Sequence, residues 1–481
     1  MPLVAGVDSS TQSTKVEIRD IDSGAVVGRS SAPHPPTTPP RSEQDPGSWW
    51  TAFETAWAGS GAGSGAGSGA ESTAIGAVSI AGQQHGMVAL DADREVIRPA
   101  KLWNDTESAP DSRWLIDQLP GGAAAWAVAC GSVPVAALTI TKLSWLHRSE
   151  PAAWDRLAHV VLPHDWLTAQ LTGRLTTDRG DASGTGYWSP AEGAYRWDLL
   201  AIVDPDRDWP SAVPEVLGPL ETAGTWRGAT VAPGTGDNMA AALGLALVPG
   251  DVVISLGTSG TVYTLCDSAV ADPSGSIAGF ADAAGGFLPL ACTLNATKVT
   301  DSIGRLLGVD HEELDRLALA SPPGADGLVL LPYFDGERTP NRPTATGLLS
   351  GLRSGVSREQ LARAAFEGVA CGLVDALDAL RALVPRRAGR VLLVGGGARS
   401  AAYRQIIADL IGQEITVADA DEAVATGAAV QAAAVLEQRP PAEIAAQWEL
   451  GGGRLIEPGA GVTAAADVRA AYASVRDLPE P

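Results

Sequence analysis

Asp237 lies in the run APGTGDNMAA (232–241), between a Gly-rich turn and small residues that read as a helix start. A carboxylate there suits a general base that takes a proton from a hydroxyl as its oxygen attacks phosphorus. On residue type alone an N-cap aspartate is the commoner case, and the two roles are compatible because a cap position fixes the carboxylate. Two short turns rich in Gly, Ser and Thr occur in GVDSSTQSTKVEI (6–18) and SLGTSGTVYTL (255–265), each between an apolar strand and a returning one. Backbone N–H and hydroxyl groups of such turns (Thr11, Gln12 and Ser13 in the first, Gly257, Thr258 and Ser259 in the second) can hold a phosphate chain without a basic patch. Only the first turn has an acid at its strand end, Asp8, where a carboxylate can hold Mg2+ through water. No G-x-x-x-x-G-K-[ST] run is present, which excludes a P-loop.

GQQHG (82–86) follows one apolar run and precedes another, which groups Gln83, Gln84 and His85 as a polar cluster suited to a polyol. LWND (102–105) adds Trp103 as a platform for a sugar face, with Asn104 and Asp105 as partners for hydroxyls; Trp103 fits core packing equally well. Gly395–Gly397, after the apolar run Arg390–Val394, would let a phosphate or nucleoside approach the backbone closely. None of the six histidines has metal-ligand spacing, so a zinc site is not expected.

Strands and helices must carry these residues. Leu3–Val7, Lys15–Ile21 and Ala25–Ser30 read as an antiparallel meander, followed by a helix over Ser48–Ala58 with Ser48 as its cap. A second meander is predicted at Val252–Leu256 and Val262–Cys266. Two such hairpins about 250 residues apart point to a duplicated domain, divided near Val248–Asp251. Further on, Ser357–Leu383 is predicted as a helix capped by Ser357, Ser400–Gly412 as a helix, Glu414–Val417 as a strand, and Glu422–Leu436 as a small-residue helix suited to close packing. The Gly/Ser/Ala run at 59–70 places glycine only at odd positions, which rules out G-x-G-x-x-G and leaves a flexible connector.

The chain has 481 residues, 45% hydrophobic and 19% charged, with a net charge of −22. Such a field repels nucleic acid and anionic membranes but allows a small phosphate ligand held by backbone groups. Four separated cysteines and a start without a basic n-region predict a cytoplasmic protein with reduced thiols and no membrane span.

Taken together, GVDSSTQSTK (6–15), AGQQHGMVALD (81–91), RPAKLWNDTES (98–108), LPHDWLTAQLTGRLTTD (162–178), GTGDNMAAALG (234–244), SLGTSGTVY (255–263), YFDGERTPNRPTATGLLSGL (333–352), LVGGGARS (393–400) and DEAVATGAAVQAA (421–433) resemble the FGGY family of carbohydrate kinases. The resemblance runs from about residue 3 to 435 in the family's order. It implies an α/β fold of two duplicated ribonuclease H-like domains, of the actin, hexokinase and sugar kinase ATPase type, with a cleft between residues 1–248 and 249–481. It also implies a magnesium-dependent, ATP-binding transferase of carbohydrate metabolism. Within the family these segments are most like those of members acting on D-xylulose, in xylose metabolism.

By carry-over, Asp237 is the catalytic base and Asp8 the acid that organises Mg2+. Gln84, His85, Asp237 and Asn238 hold the sugar, Thr258 and its neighbours the phosphates, and Gly396, Gly397 and Ser400 the nucleotide. A homodimer is expected by family analogy alone. Two departures are Thr346, where the family commonly has Arg before Gly347, and the 59–70 insert. A kinase of another ketopentose or polyol (ribulose, glycerol, a tetritol) stays open as an alternative, as does a non-catalytic sugar or nucleotide sensor.

Overall fold

Leu3–Ser9 (β1) is apolar along almost its whole length because it is covered on both faces, so no polar alternation marks it. It pairs antiparallel with Ser13–Asp20 (β2), which pairs antiparallel with Val26–Pro33 (β3). On its other side β1 runs parallel to Ile75–Gly82 (β4), beyond which lie Gly224–Trp226 (β5) and Ala229–Val231 (β6); the short strand Thr235–Gly236 (β7) pairs with the end of β4. The sheet order is β5-β6-β4-β1-β2-β3. The computed structural model describes residues 2–62, 74–385 and 387–478.

The second sheet repeats the first. Val252–Leu256 (β8) pairs antiparallel with Gly260–Thr264 (β9) and parallel with Val391–Val394 (β12). Outward from these lie Ile277–Ala281 (β10) and Phe287–Thr293 (β11) on one side, and Ile415–Ala418 (β13) and Gly453–Ile456 (β14) on the other, in the order β10-β11-β9-β8-β12-β13-β14. A central apolar strand with an antiparallel hairpin partner on one side and parallel strands on the other occurs twice. The duplication expected from the two hairpins is therefore present, and the fold is the two-domain α/β architecture expected of it.

Helix Pro46–Gly59 (α1) buries Trp49, Phe53 and Trp57 in the first core. Its cap is Asp45 rather than the expected Ser48: Pro46 fixes the first helical position, and Asp45 accepts from Gly47 N at 3.0 Å. Asp45→Ala should cost about 1 kcal/mol of stability, against a few tenths for Ser48→Ala, a difference thermal melts of the two variants would resolve. The connector expected at 59–70 lies outside the described residues from 63 onward. Strand β9 begins two residues before the expected Val262, because Gly260 already pairs with Leu256.

In the second half, Arg358–Leu383 (α7) is capped by Ser357, with Gln360 completing a capping box. It lies in one apolar cluster with β8, β12 and Ala401–Ile411 (α8). The small-residue helix Ala423–Glu437 (α9) packs beneath the first sheet, where Ala429–Ala434 share a core with Val4 and Ala77. There it crosses Asp237–Gly244 (α5) in backbone contact: a Cβ on Gly427 would lie 1.7 Å from the Ala240 carbonyl oxygen. Helices Thr139–Ser149 (α2), Pro163–Thr172 (α3), Arg179–Ala182 (α4) and Thr297–Leu307 (α6) complete the surroundings of the site. Among the described residues no helix is long and apolar enough to cross a membrane.

Candidate active site

Asp237 is the first residue of α5, and Gly236 occupies the cap position, so the aspartate is free of capping duty. Its Oδ1 accepts from Asn238 N at 2.8 Å and Asn238 Nδ2 at 3.0 Å, and the same Nδ2 donates to Gln84 Oε1 at 2.9 Å. Burial pushes the Asp237 carboxyl up to about 7; the negative charge of Asp8 adds to this and the two Asn238 bonds oppose it. A carboxyl poised there can alternate between proton acceptor and donor near neutral pH, as a general base requires.

Asp8 is the penultimate residue of β1 and is 4% exposed. Its Oδ2 lies 3.6 Å from Lys15 Nζ, and Lys15 is itself held by Glu422 at 2.6 Å, a residue more than 400 positions away in the chain. Burial raises the Asp8 carboxyl to about 6; Lys15 opposes the rise and Glu422 adds to it. Oδ1 is buried without a hydrogen-bond partner. An orphaned carboxylate oxygen beside a phosphate-sized turn fits a hydrated cation. The trio Glu43, Asp105 and Glu107 has metal-like spacing, but the Lys101 ammonium occupies it at 3.1, 3.0 and 2.6 Å.

The first turn is closed by Ser10 N donating to the Ser13 carbonyl at 3.0 Å, with Gln12 exposed at its tip. Thr11 Oγ1 accepts from Trp103 Nε1 at 3.0 Å and donates to Gln83 Oε1 at 2.9 Å, so this turn is tied to the GQQHG loop. Trp103 is part-buried and anchored through its indole nitrogen rather than sunk in the core. Asp105 is not available to a sugar hydroxyl: it is fully buried and accepts from Ser42 N and Lys101 Nζ. Asn104 keeps one buried oxygen without a partner.

His85 takes a left-handed backbone conformation, φ 66°, which turns its ring toward the second half of the chain; there Phe280 of β10 lies 5.3 Å away, centroid to centroid. Burial, helped by the charges of Arg338 and Lys142, holds the imidazole well below its ordinary pKa, so it is neutral. Lys142 is buried against the carbonyls of Ala136, Ala137 and Leu138, and Thr139 Oγ1 reaches the His85 carbonyl at 3.3 Å.

In the second turn, Thr258 is exposed at the tip. Its carbonyl accepts from Ala296 N at 3.2 Å, and Gly257's from Thr297 N at 3.0 Å, which seats the turn on the start of α6. Gly395, φ 88°, packs so closely on this strand end that a Cβ would lie 2.6 Å from the Leu256 carbonyl oxygen, while Gly396 faces open space. Ser400 caps α8: its Oγ accepts from Tyr403 N and donates to Asp315 at 2.5 Å. The structure thus groups Asp8, Gln84, His85, Asp237 and Asn238, ties Trp103 to the first turn, and sets Gly396 and Gly397 beside the second.

Several neighbours carried no assigned role in the sequence reading. Beneath Asp237 lies a fully buried cluster in which His164 Nε2 sits 3.1 Å from Asp165, 3.3 Å from Asp181 and 3.6 Å from Asp178. Burial alone would lower the imidazole, but the three carboxylates outweigh it and raise His164 to about 9. Asp178 Oδ2 accepts from Thr235 Oγ1 at 2.7 Å, which holds the strand leading to Asp237. The available signal was the density of charged residues among small ones in LPHDWL and TTDRGDAS, which a solvated loop would also produce.

The family model for the FGGY family of carbohydrate kinases, N-terminal domain, matches residues 3–244, and its C-terminal counterpart residues 252–436. The chain is 48% identical to a xylulose kinase of Streptomyces rubiginosus over 95% of its own length and 92% of that protein. It is 34% identical to one of Haemophilus influenzae over 89% of each. The crystal structure of xylulose kinase from Bifidobacterium adolescentis superposes with a TM-score of 0.85 at 41% identity, covering 99% of each chain. Plasmodium falciparum glycerol kinase with ADP, at 18% identity, shares the fold with a TM-score of 0.85 over 100% of this chain and 99% of that one.

Proposed function

The chain belongs to the FGGY family of carbohydrate kinases, and we propose that it phosphorylates D-xylulose with ATP, giving D-xylulose 5-phosphate and ADP. The observation that carries the assignment of the base is the Asp237 carboxyl at the start of α5, part-buried, raised to about 7 and bonded to Asn238, whose amide also reaches Gln84. The xylulose kinases to which the chain is 48% and 34% identical support the choice of sugar. Residues 1–248 would supply the sugar site and first phosphate turn and residues 249–481 the nucleotide site, with α9 reaching back beneath the first sheet.

In this reading Gln84 Nε2, which is buried without a partner, the Asn238 side-chain oxygen and the neutral His85 ring hold the sugar hydroxyls, and Trp103 covers a face of the sugar. Asp237 accepts the proton of the terminal hydroxyl while its oxygen bonds to the γ-phosphorus. The bond from that phosphorus to the bridging oxygen breaks, and ADP departs with the electron pair. The protonated Asp237 then returns its proton to water when the cleft opens. Thr11, Gln12 and Ser13 on one side and Gly257, Thr258 and Ser259 on the other offer donors to the phosphates; Gly396 and Gly397 leave space for the nucleoside beside Ser400. Asp8, through its unpartnered Oδ1, would hold Mg2+ by way of water, and the ion would offset charge on the phosphates. A cytoplasmic homodimer is part of the same proposal.

The test is ADP release from Mg-ATP across a panel of ketoses and polyols. Turnover fastest on D-xylulose supports the reading, faster turnover on another sugar replaces the substrate, and no sugar-stimulated turnover removes the kinase. A pH profile is a second check. The base works deprotonated, so kcat/KM should fall as pH drops through about 7 in the free enzyme, and a flat profile between pH 5.5 and 8 would count against Asp237.

A further inference from the structure

Arg179 latches the second half of the chain to the first. Its Nη1 donates to the Gly286 carbonyl at 2.5 Å, to Asp282 Oδ1 at 3.1 Å and to the Asp282 carbonyl at 3.3 Å. The receiving turn between β10 and β11 is already organised, because Asp282 Oδ1 also accepts from the backbone N–H of Ala284, Gly285 and Gly286. Four residues on, Ser183 Oγ accepts from Ala281 N at 2.9 Å. Charge-assisted bonds of this kind are the stronger class, and water can replace them when the lobes part.

The same turn of chain faces inward on its other side. Asp178 caps α4 through Gly180 N and Asp181 N and accepts from Thr235 Oγ1 at 2.7 Å, two residues before Asp237. Gly184 lies so close to the sugar loop that a Cβ there would be 2.4 Å from His85 Nδ1. Phe280, which packs on the His85 ring from above, is the neighbour of Ala281. One segment, 178–184, is therefore bonded to the strand that leads to Asp237, pressed against His85, and fastened to the second lobe.

We propose that Arg179 is a positioning residue: by docking on the Asp282 turn it couples closure of the second lobe to the alignment of Asp237 and His85, with segment 178–184 transmitting the contact. The coupling rests on the kinase reading of this site. An open cleft, in which the base is poorly aligned, would then be slow to transfer phosphoryl to anything, water included.

The experiment compares wild type, Arg179→Gln and Arg179→Lys by steady-state kinetics with D-xylulose and Mg-ATP, and by hydrogen–deuterium exchange of the unliganded proteins. Arg179→Gln should lower kcat at least ~20-fold while both KM values move less than ~3-fold, the mark of misaligned rather than unbound reactants. Exchange in peptides spanning 235–239 should quicken by about tenfold, and Arg179→Lys should recover most of both losses. Unchanged kcat, or faster exchange confined to 281–287, would overturn the proposal, as would a lower melting temperature with kcat intact. Should Arg179→Gln not fold, Asp282→Asn, which keeps an oxygen for the turn amides and loses the charge, is measured in its place. If the wild type phosphorylates no sugar the kinase reading falls, while the exchange comparison still decides whether the strap transmits.

Discussion

Asp237→Asn should lower kcat by at least ~10², with sugar affinity held within a few-fold. The substitution keeps an oxygen that can accept from Asn238 and leaves Gln84 and His85 in place, so the groups that grip the sugar survive. It removes the single feature the step needs, a carboxylate able to take a proton near neutrality. Stability supplies an independent readout. A carboxyl raised to about 7 by burial disfavours the folded state once it ionises, because the unfolded chain holds that proton more weakly. The penalty is full above pH 7, shrinks as pH falls toward the ordinary carboxylate range, and is gone below it. The Asn variant should therefore be at least as stable as wild type at pH 8, with its relative advantage lost by pH 4. Loss of sugar binding, or a variant that melts early at pH 8, would place Asp237 in a structural role.

Gly427→Ala should cost stability and activity together, although propensity favours it. Alanine in place of glycine inside a helix is worth about 1 kcal/mol. Against that, the new Cβ would meet the Ala240 carbonyl oxygen at 1.7 Å, its carbon at 2.6 Å and the Gly244 nitrogen at 2.9 Å, all backbone atoms that no rotamer change can move aside. Overpacking of this kind costs about 3 kcal/mol, so the clash prevails by roughly 2 kcal/mol. The strain falls on α5, whose first residue is Asp237. A displacement of ~1 Å there would lower kcat by about 10². Thermal melting and steady-state kinetics on the one variant check both parts, and an unchanged melting temperature would mean that the crossing helices separate at little cost.

How far the site could be read from the chain depended on how local each cause was. The hairpin turns, the glycines after Val394 and the small-residue helix at 423–437 declare themselves because backbone conformation is set within a few residues. Where local rules failed, a neighbour overrode them: Pro46 moved the α1 cap to Asp45, and Lys101 took Asp105 out of the polyol set. Strand alternation was absent in β1 because both its faces are covered, one of them by α9, which arrives from more than 400 residues downstream.

Residue type and order by themselves determined the duplicated α/β plan, the two phosphate-sized turns and the identity of the acid at the start of α5. Only the tertiary structure decided what those groups are chemically. Asp237 is raised to about 7 because folding strips water from it and brings Asp8 near; His85 is neutral because burial desolvates its ring, with Arg338 and Lys142 adding to the effect; Lys15 is shared between Asp8 and Glu422 because α9 crosses beneath the first sheet. Desolvation and charge proximity are properties of three-dimensional neighbourhoods, and these neighbourhoods join residues tens to hundreds of positions apart.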